Sequence, residues 1–178
     1  LESVHLIHPG CKVSSKKNSN AVPYGPSLLG RIIDGMGRPI DGKGPLLAPQ
    51  REGFYCEPPN PLSRSLITAP FSSGIKAIDS FIPLGVGQRV GIFSGSGVGK
   101  SILLGMIGRG SEAQVNVISL VGERGRELRE FVENDLGPEG MAKSVIVVST
   151  SDQPAPMRIR ASILATAIAE GFRNEGNK

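Results

Sequence analysis

The stretch GIFSGSGVGKS, residues 91–101, contains the residue types that bind phosphate most directly. It approximates the pattern G-x-x-x-x-G-K-[ST], with Ser94 in place of the leading glycine. Glycines let backbone N–H groups converge on phosphate oxygens, and the N-terminus of a following helix attracts the same anion. Lys100 can reach the β- and γ-phosphates, and the Ser101 hydroxyl can ligate Mg²⁺. These residues predict a nucleotide site, the alternative being a glycine-rich turn with an incidental Lys-Ser pair.

Ser94 weakens the match to the bare pattern, but it does not remove the prediction. Its position begins the turn and does not line the phosphate. We therefore expect a small residue to suffice there, provided that its φ is negative.

A second charged stretch, GERGRE at 122–127, follows the next apolar run. The carboxyl ends of parallel strands meet along one edge of a sheet, so we expect Glu123 to lie close to the phosphate loop. A carboxylate there could polarise water for in-line attack on the γ-phosphate. The alternative is that Glu123, Arg124, Arg126 and Glu127 form a solvated charge cluster at a helix start. Arg124 and Arg126 could also contact another subunit or hold Glu123. The residue types alone leave these alternatives open.

Three apolar runs predict the strands that position these residues. RVGIF (89–93) is predicted to be a buried strand that ends at the loop, followed by strands at NVISLV (116–121) and SVIVVST (144–150). Helices are predicted between and after them. They cover 100–109, a segment from about 125 that ends at Leu136-Gly137-Pro138, and a long segment from Pro156 to about Arg173.

Apolar positions at helical spacing mark the faces of these helices that pack on the sheet. The middle helix presents Leu128, Phe131 and Val132. The last helix presents Ile159, Ile163, Leu164, Ala167, Ile168 and Phe172. In the first helix, Gly105 and Gly108 would permit close packing, and Asp152 is expected to cap the last one. Strand–helix alternation with apolar strands predicts an α/β fold with a parallel sheet covered on both sides.

The N-terminal third differs in composition from the rest of the chain. Residues 1–56 are rich in Gly, Pro, Asn and Ser, and Asp34-Gly35 and Asp41-Gly42 supply turn chemistry. We interpret this part as the remnant of an N-terminal β-barrel, residues 57–70 as a proline-rich linker, and residues 71–178 as part of a nucleotide-binding domain. Because the chain starts with Leu1 and ends after a helix, we expect it to be an inner piece of a longer protein.

Composition excludes several classes of protein. A hydrophobic content of 39% with 20% charged residues is typical of a soluble globular protein, and no apolar run approaches the length of a membrane span. Two cysteines, Cys11 and Cys56, lack metal-type spacing, so we expect a reducing cytoplasm and no disulfide framework. The cluster Lys12, Lys16 and Lys17 lacks interleaved aromatic residues and is interpreted as a solvated loop.

Longer segments resemble one branch of a known family. GIFSGSGVGKS, LVGERGRELREFVEND and VVSTSDQPAPMRIRASILATAIAEGFR resemble the flagellar type III export ATPases, which belong to the rotary ATPase family with the catalytic β subunit of ATP synthase. YGPSLLGRIIDGMGRPIDGKGPL and PPNPLSR resemble the end of that family's N-terminal β-barrel and the linker after it. The resemblance covers almost the whole chain from about residue 22. Ser94 favours the flagellar branch over the ATP synthase β subunit, which keeps glycine there.

The resemblance implies a P-loop, RecA-like sheet and a role for each site residue. Glu123 would activate the attacking water, while Lys100 and Arg124 would act on the phosphates. Ser101 would ligate Mg²⁺. The residues implied in ATP binding are Gly95, Ser96, Gly97, Val98, Gly99, Lys100, Ser101 and Ile102.

The resemblance also implies an assembly and a cellular role. The expected protein is a homohexamer that hydrolyses ATP to ADP and phosphate at the cytoplasmic face of the inner membrane. Its expected partners are the export gate, regulatory or stator-like subunits, export chaperones and their substrates. Gly171 departs from the family, which has an aromatic residue there, and the Mg²⁺-supporting aspartate and the arginine finger would lie beyond Lys178.

Three alternatives remain at this point. One is a type III secretion ATPase of the virulence branch, and another is a chain that binds ATP without hydrolysing it. A nucleic-acid motor is the third, and the modest net charge of +4 and the lack of aromatic stacking residues in the N-terminal part count against it.

Overall fold

A three-stranded parallel sheet forms the centre of the computed structural model, which describes residues 8–14, 21–51, 53–54, 57–95 and 97–178. Strand β7 (Ser144–Ser149) is the middle strand, with β6 (Asn116–Val121) on one side and β2 (Arg31–Asp34) on the other. Both neighbours run parallel to β7. The predicted strands at 116–121 and 144–150 are confirmed.

The strands of this sheet bury side chains on both faces. Val145 and Val147 of β7 belong to one apolar cluster, and the alternate residues Ile146 and Val148 belong to another. This separation follows from the two-residue period of a strand, which points successive side chains to opposite faces. All six residues of β7 are buried, as expected for a central parallel strand covered on both sides.

Helix α5 (Ala155–Asn174) covers the first face of the sheet. It matches the predicted long helix and includes the buried Gly171. The predicted apolar face is wrong at Ile159, which is 64% exposed, because it lies two residues from the buried Met157 and Ala161 and therefore on the opposite side of the helix. Asp152 is not the cap that was predicted, because Pro154 occupies the N-cap position and no side chain caps the helix.

The second face is covered by a helical segment of mixed geometry, interrupted by the non-helical backbone of Gly137 (φ 63°, ψ 177°) where Leu136-Gly137-Pro138 was predicted to end the helix. It comprises α3 (Gly125–Glu130), a π-helix (Phe131–Leu136) and α4 (Gly137–Ala142). Phe131 and Leu136 are buried in the second cluster, against which Leu128 and Val132 also pack. The predicted helix from about 125 is therefore confirmed, although its second half has i→i+5 geometry.

Helix α2 (Lys100–Gly110) packs on the π-helix and on α4. Its buried glycines make this packing possible. A Cβ at Gly105 would overlap the backbone carbonyl of Asp135, and one at Gly108 would meet Leu136 Cδ1 at 2.8 Å. The predicted helix and the predicted role of its glycines are both confirmed.

The predicted strand at 89–93 is wrong. In the structure this segment belongs to no strand, Val90 is half exposed, and Phe93 is 95% exposed. An apolar run becomes a buried strand only when a neighbouring strand supplies hydrogen bonds and a covering layer. Within the described residues no strand lies alongside 89–93, so its strand propensity finds no partner.

The N-terminal segment contributes one strand to the main sheet. Strand β2 pairs with β7, while β1 (Val22–Pro23) and β3 (Gln50–Arg51) form a short antiparallel pair. No β-barrel is formed by the described part of residues 1–56, and the division at residues 56 and 70 stays a prediction.

A buried ion pair fixes the chain after β2. Arg31 donates from Nε and from one terminal nitrogen to the Asp41 carboxylate, at 2.7 and 3.0 Å. The Asp41 side chain, 3% exposed, also accepts hydrogen bonds from Ile32 N and Lys43 N. These contacts, with the Arg31 hydrogen bond first among them, hold the pKa of Asp41 far below its ordinary value. Asp34-Gly35 and Asp41-Gly42 thus form the turns predicted for them.

The region between the N-terminal segment and α2 contains only short elements. They are a 3₁₀ turn at Pro61–Ser63, α1 (Lys76–Phe81), and an antiparallel pair of β4 (Pro70–Phe71) and β5 (Leu84–Gly85). Another 3₁₀ turn, at Pro26–Leu28, lies between β1 and β2. In the part of the chain that the structure describes, no helix is long and apolar enough to span a bilayer.

Candidate nucleotide-binding site

The glycine-rich loop leads directly into α2. Gly97 and Gly99 have φ values of 76° and 95°, in the left-handed region that glycine adopts without strain. Gly99 is the N-cap of α2, and its carbonyl accepts the first helical hydrogen bond, from Leu103 N. The N–H groups of the first helical turn therefore point out of the helix, where they can bind an anion. Ser96 lies outside the described residues.

Ser94 occupies its position without backbone strain. Among the described residues, no residue other than glycine has a positive φ, so Ser94 meets the condition set for it. Its hydroxyl contacts the Gly95 carbonyl at 3.2 Å, and its side chain lies beside Ile92 and Val98, outside the phosphate cavity. The leading position therefore belongs to the outer part of the turn.

Glu123 follows β6 and faces the loop. Gly122, at φ 80°, turns the chain, and its N–H donates to the Ser149 carbonyl at 2.8 Å. The Glu123 carbonyl accepts from Ser151 N, so the ends of β6 and β7 are joined beyond the sheet. Glu123 Oε1 lies 4.0 Å from Lys100 Nζ. The prediction that Glu123 would lie close to the phosphate loop is confirmed by this distance.

An open cavity of about 380 Å³ lies between the loop and the helical segment that follows Glu123. Its volume falls within the range of small-molecule sites. Lys100 and Ser101 contribute to its floor, and Glu123 contributes to its wall. The lining residues are Gly95, Gly97, Gly99, Lys100, Ser101, Ile102, Glu123, Glu127, Glu130 and Asp135.

Two of the predicted site residues lie away from this cavity. The Arg124 side chain is 67% exposed, and its NH1 lies 3.7 Å from Glu127 Oε1. Val98 lines the neighbouring apolar depression with Ile92 and Met106. The structure therefore brings together Lys100, Ser101 and Glu123 but leaves Arg124 at the rim, paired with a carboxylate.

The donors present fit a magnesium ion that is carried by phosphate. Within the described residues, no group of three or more His, Cys, Asp or Glu side chains could hold a metal alone. Mg²⁺ prefers one or two protein oxygens together with phosphate oxygens and water. The Ser101 hydroxyl in the cavity floor provides such an oxygen, with the carboxylates of the wall nearby.

Three carboxylates of the cavity wall were not predicted as site residues. Glu127 and Glu130 lie on α3, four and seven residues after Glu123, and this spacing is visible in the sequence. Asp135 lies five residues beyond Glu130, within the π-helix. An α-helix would turn Asp135 away from Glu130, whereas i→i+5 geometry brings the two to one side. No pattern in the sequence signals that change of geometry.

Comparison with known proteins agrees with this geometry. Residues 74–178 match the ATP synthase alpha/beta family, nucleotide-binding domain. The chain belongs to this family. The match begins just before α1 and includes the loop, Glu123 and both covering layers of the sheet.

Several members of the family are similar along most of the chain. A flagellum-specific ATP synthase of Bacillus subtilis is 52% identical over 172 residues, which are 96% of this chain and 39% of that protein. A type 3 secretion system ATPase of Xanthomonas euvesicatoria is 49% identical over 156 residues, 88% of this chain and 35% of that protein. The chain thus spans less than half the length of these curated relatives.

A solved structure shows the same fold. It is the assembled ATPase EscN from the type III secretion system of enteropathogenic E. coli, with a TM-score of 0.81 and 48% sequence identity. The alignment covers 92% of this chain and 40% of that chain. The parallel sheet with flanking helices is therefore the fold of this family's nucleotide-binding domain.

Proposed function

We propose that this protein is the ATP-hydrolysing motor subunit of a flagellar type III protein export apparatus. The observation that carries the proposal is that Lys100 and Glu123, from two different elements, line one cavity with their charged atoms 4.0 Å apart. A phosphate-binding loop at a helix N-terminus, faced by a carboxylate, is the minimum arrangement for hydrolysing a nucleoside triphosphate. The similarity to flagellum-specific ATP synthases supports the choice of pathway.

Each residue has a separate task in this proposal. The α2 N-terminus and the loop N–H groups bind phosphate oxygens, and Lys100 neutralises charge on the β- and γ-phosphates. Glu123 orients and polarises the attacking water. Mg²⁺, when bound through Ser101 and the phosphates, supplies further neutralisation of the phosphate charge. Arg124 turns from Glu127 to the phosphates. The ion pair between Arg124 and Glu127 is exposed, so breaking it costs little free energy.

The proposal includes an assembly. We infer a homohexamer at the inner face of the cytoplasmic membrane, working with an export gate, stator-like subunits, chaperones and unfolded substrates. EscN is known as an assembled ATPase and in complex with its central stalk, EscO, which supports this inference by analogy.

Two substitutions in the full-length protein test the catalytic assignments. Lys100→Ala should abolish ATP hydrolysis, because the phosphate charge loses its partner. Glu123→Gln should retain ATP binding and lower kcat about 100-fold or more, because the carboxylate acts only on the attacking water. Steady-state hydrolysis and nucleotide titration measure the two effects.

Matched controls separate these effects from general damage. Lys76→Ala removes an exposed lysine of α1, and Glu133→Gln removes an exposed carboxylate that pairs with Arg129 outside the cavity. Both should hydrolyse ATP at the wild-type rate. Unchanged turnover in Lys100→Ala would refute the site, and joint loss of binding and hydrolysis in Glu123→Gln would make Glu123 structural.

The type III secretion ATPases are a second candidate, favoured by the 49% identity to the Xanthomonas relative. Genetic complementation distinguishes the two. The gene should restore motility to a strain that lacks its flagellar export ATPase. Restoration of effector secretion without motility would favour the virulence branch.

A further inference from the structure

The nucleotide cavity is unusually acidic for a site that accepts phosphates. Of the residues that line it, Lys100 carries a positive charge, while four carboxylates face it from the turn after β6, from α3 and from the π-helix. Those carboxylates are Glu123, Glu127, Glu130 and Asp135. Phosphate sites generally concentrate positive charge, so the excess of carboxylates requires a separate explanation.

Two of the four carboxylates are partly compensated. Glu123 lies 4.0 Å from Lys100 Nζ, and Glu127 lies 3.7 Å from Arg124 NH1. In the portion of the chain covered by the structure, neither Glu130 nor Asp135 forms an ion pair. These two therefore contribute uncompensated negative charge to the cavity.

The position of Asp135 is fixed relative to the phosphate loop. Its backbone carbonyl packs directly against Gly105 of α2, the helix that starts at Lys100. The π-helix turns its side chain towards the same cavity as Glu130. Because α2 carries the loop at its N-terminus, a nucleotide bound to the loop must meet the field of both carboxylates.

The charge of the wall has opposite consequences for the two forms of the nucleotide. Mg²⁺ removes about two negative charges from a nucleoside triphosphate, so the uncomplexed nucleotide is repelled more strongly by each carboxylate. At distances up to the screening length of about 8 Å, this repulsion is only partly screened at physiological salt. Among the residues that the structure describes, no group of three or more His, Cys, Asp or Glu side chains could hold a metal alone, which fits a cation that is carried by the phosphates.

We propose that Glu130 and Asp135 are specificity-determining residues that make the site reject uncomplexed nucleotide and accept nucleotide carrying a divalent cation. The proposal rests on the nucleotide-binding function proposed above and adds a selection rule to it. Neither residue needs to touch the metal, because the discrimination acts through the field in the cavity.

The test uses the full-length protein and the non-hydrolysable ATP analogue AMP-PNP. Its Kd is measured by calorimetry with excess Mg²⁺ and with EDTA, for wild type, Glu130→Gln, Asp135→Asn and the double variant. Each single substitution should lower the Mg²⁺ preference roughly threefold at about 10 mM ionic strength, and the double variant about tenfold. The change should shrink at about 150 mM salt, where the screening length is about 8 Å.

Glu133→Gln is the matched control. It removes the same charge from the same helical segment, but Glu133 pairs with Arg129 at 2.7 Å and does not line the cavity. Its Mg²⁺ preference should equal that of wild type. An equal shift in Glu133→Gln, or no shift in either cavity variant, would overturn the proposal.

Two further points separate a failure of this proposal from misfolding of a variant and from a failure of the proposed function. Glu130 is exposed, so Glu130→Gln should fold normally and carries the test even if Asp135→Asn does not. Wild-type protein that binds AMP-PNP neither with Mg²⁺ nor with EDTA would overturn the proposed function and the selection rule together. Binding with normal strength in both conditions would overturn the selection rule alone.

Discussion

Ser94 and Gly99 show how differently two positions of one loop respond to a side chain. Ser94 has a negative φ and lies outside the cavity, whereas Gly99 is held at φ 95° and lines it. The pattern G-x-x-x-x-G-K-[ST] has glycine at both positions, but only Gly99 has a backbone conformation that requires glycine. The phosphate site therefore depends on backbone conformation at particular residues and less on the match to a pattern.

The two positions give a prediction at this scale. Gly99→Ala should weaken binding of nucleotide roughly 5- to 30-fold, because an L-residue pays about 1–2 kcal/mol in the left-handed region. Ser94→Gly should change the Kd by less than about twofold. Titration with AMP-PNP in the presence of Mg²⁺ measures both, and equal effects of the two substitutions would contradict this account of the loop.

At the scale of elements, the contact between α2 and the π-helix joins the two halves of the site. Lys100 and Ser101 are the first residues of α2, and Glu123 lies just before α3, the helix that leads into the π-helix. Gly105 allows the backbones to approach so closely that no side chain fits between them. Close packing of this kind transmits small shifts between elements, because a dense interior does not deform freely.

Gly105→Ala tests this contact. The added methyl group would overlap the Asp135 carbonyl, and overpacking of this kind typically costs about 1–3 kcal/mol in the free energy of unfolding. Gly125→Ala is the control, because a Cβ at Gly125 meets nothing within 4 Å and the residue has no positive φ. Denaturant unfolding should show a loss for Gly105→Ala and a change of under about 1 kcal/mol for Gly125→Ala.

At the scale of the whole molecule, β2 is the least expected part of the sheet. It lies more than a hundred residues from β7 in the sequence, yet it pairs in parallel with the central strand over Arg31–Asp34. Ile33 is fully buried in the cluster that contains Leu164 of α5. The Arg31–Asp41 ion pair closes the turn that follows and removes a charge that would otherwise be buried alone.

This arrangement predicts one cooperative unit. Ile33→Ala should lower the free energy of unfolding by about 2–5 kcal/mol, in the same transition that Leu164→Ala lowers. Hydrogen exchange at the β7 amides should accelerate in both variants. A separate, earlier transition in Ile33→Ala, with β7 exchange unchanged, would instead favour an N-terminal segment that unfolds on its own.

The sequence by itself determined the features that depend on local chemistry. The glycines, Lys100 and Ser101 predict a helix that starts at the loop, and apolar runs predict the strands β6 and β7, of which β6 is partly buried and β7 fully buried. Helical periodicity likewise determined the faces of α5 and α3, with Ile159 as an exception. These properties rest on neighbours within about one helical turn, which the sequence displays directly.

Only the tertiary structure decided the features that depend on distant partners. The segment 89–93 has the composition of a strand, but no strand among the described residues pairs with it. The β2 segment, which is flanked by polar residues, pairs with β7. The π-helix brings Asp135 into the cavity, and Arg124 pairs with Glu127 at its rim. Strand pairing, helical register and side-chain pairing are settled by contacts far apart in sequence, and no local pattern encodes them.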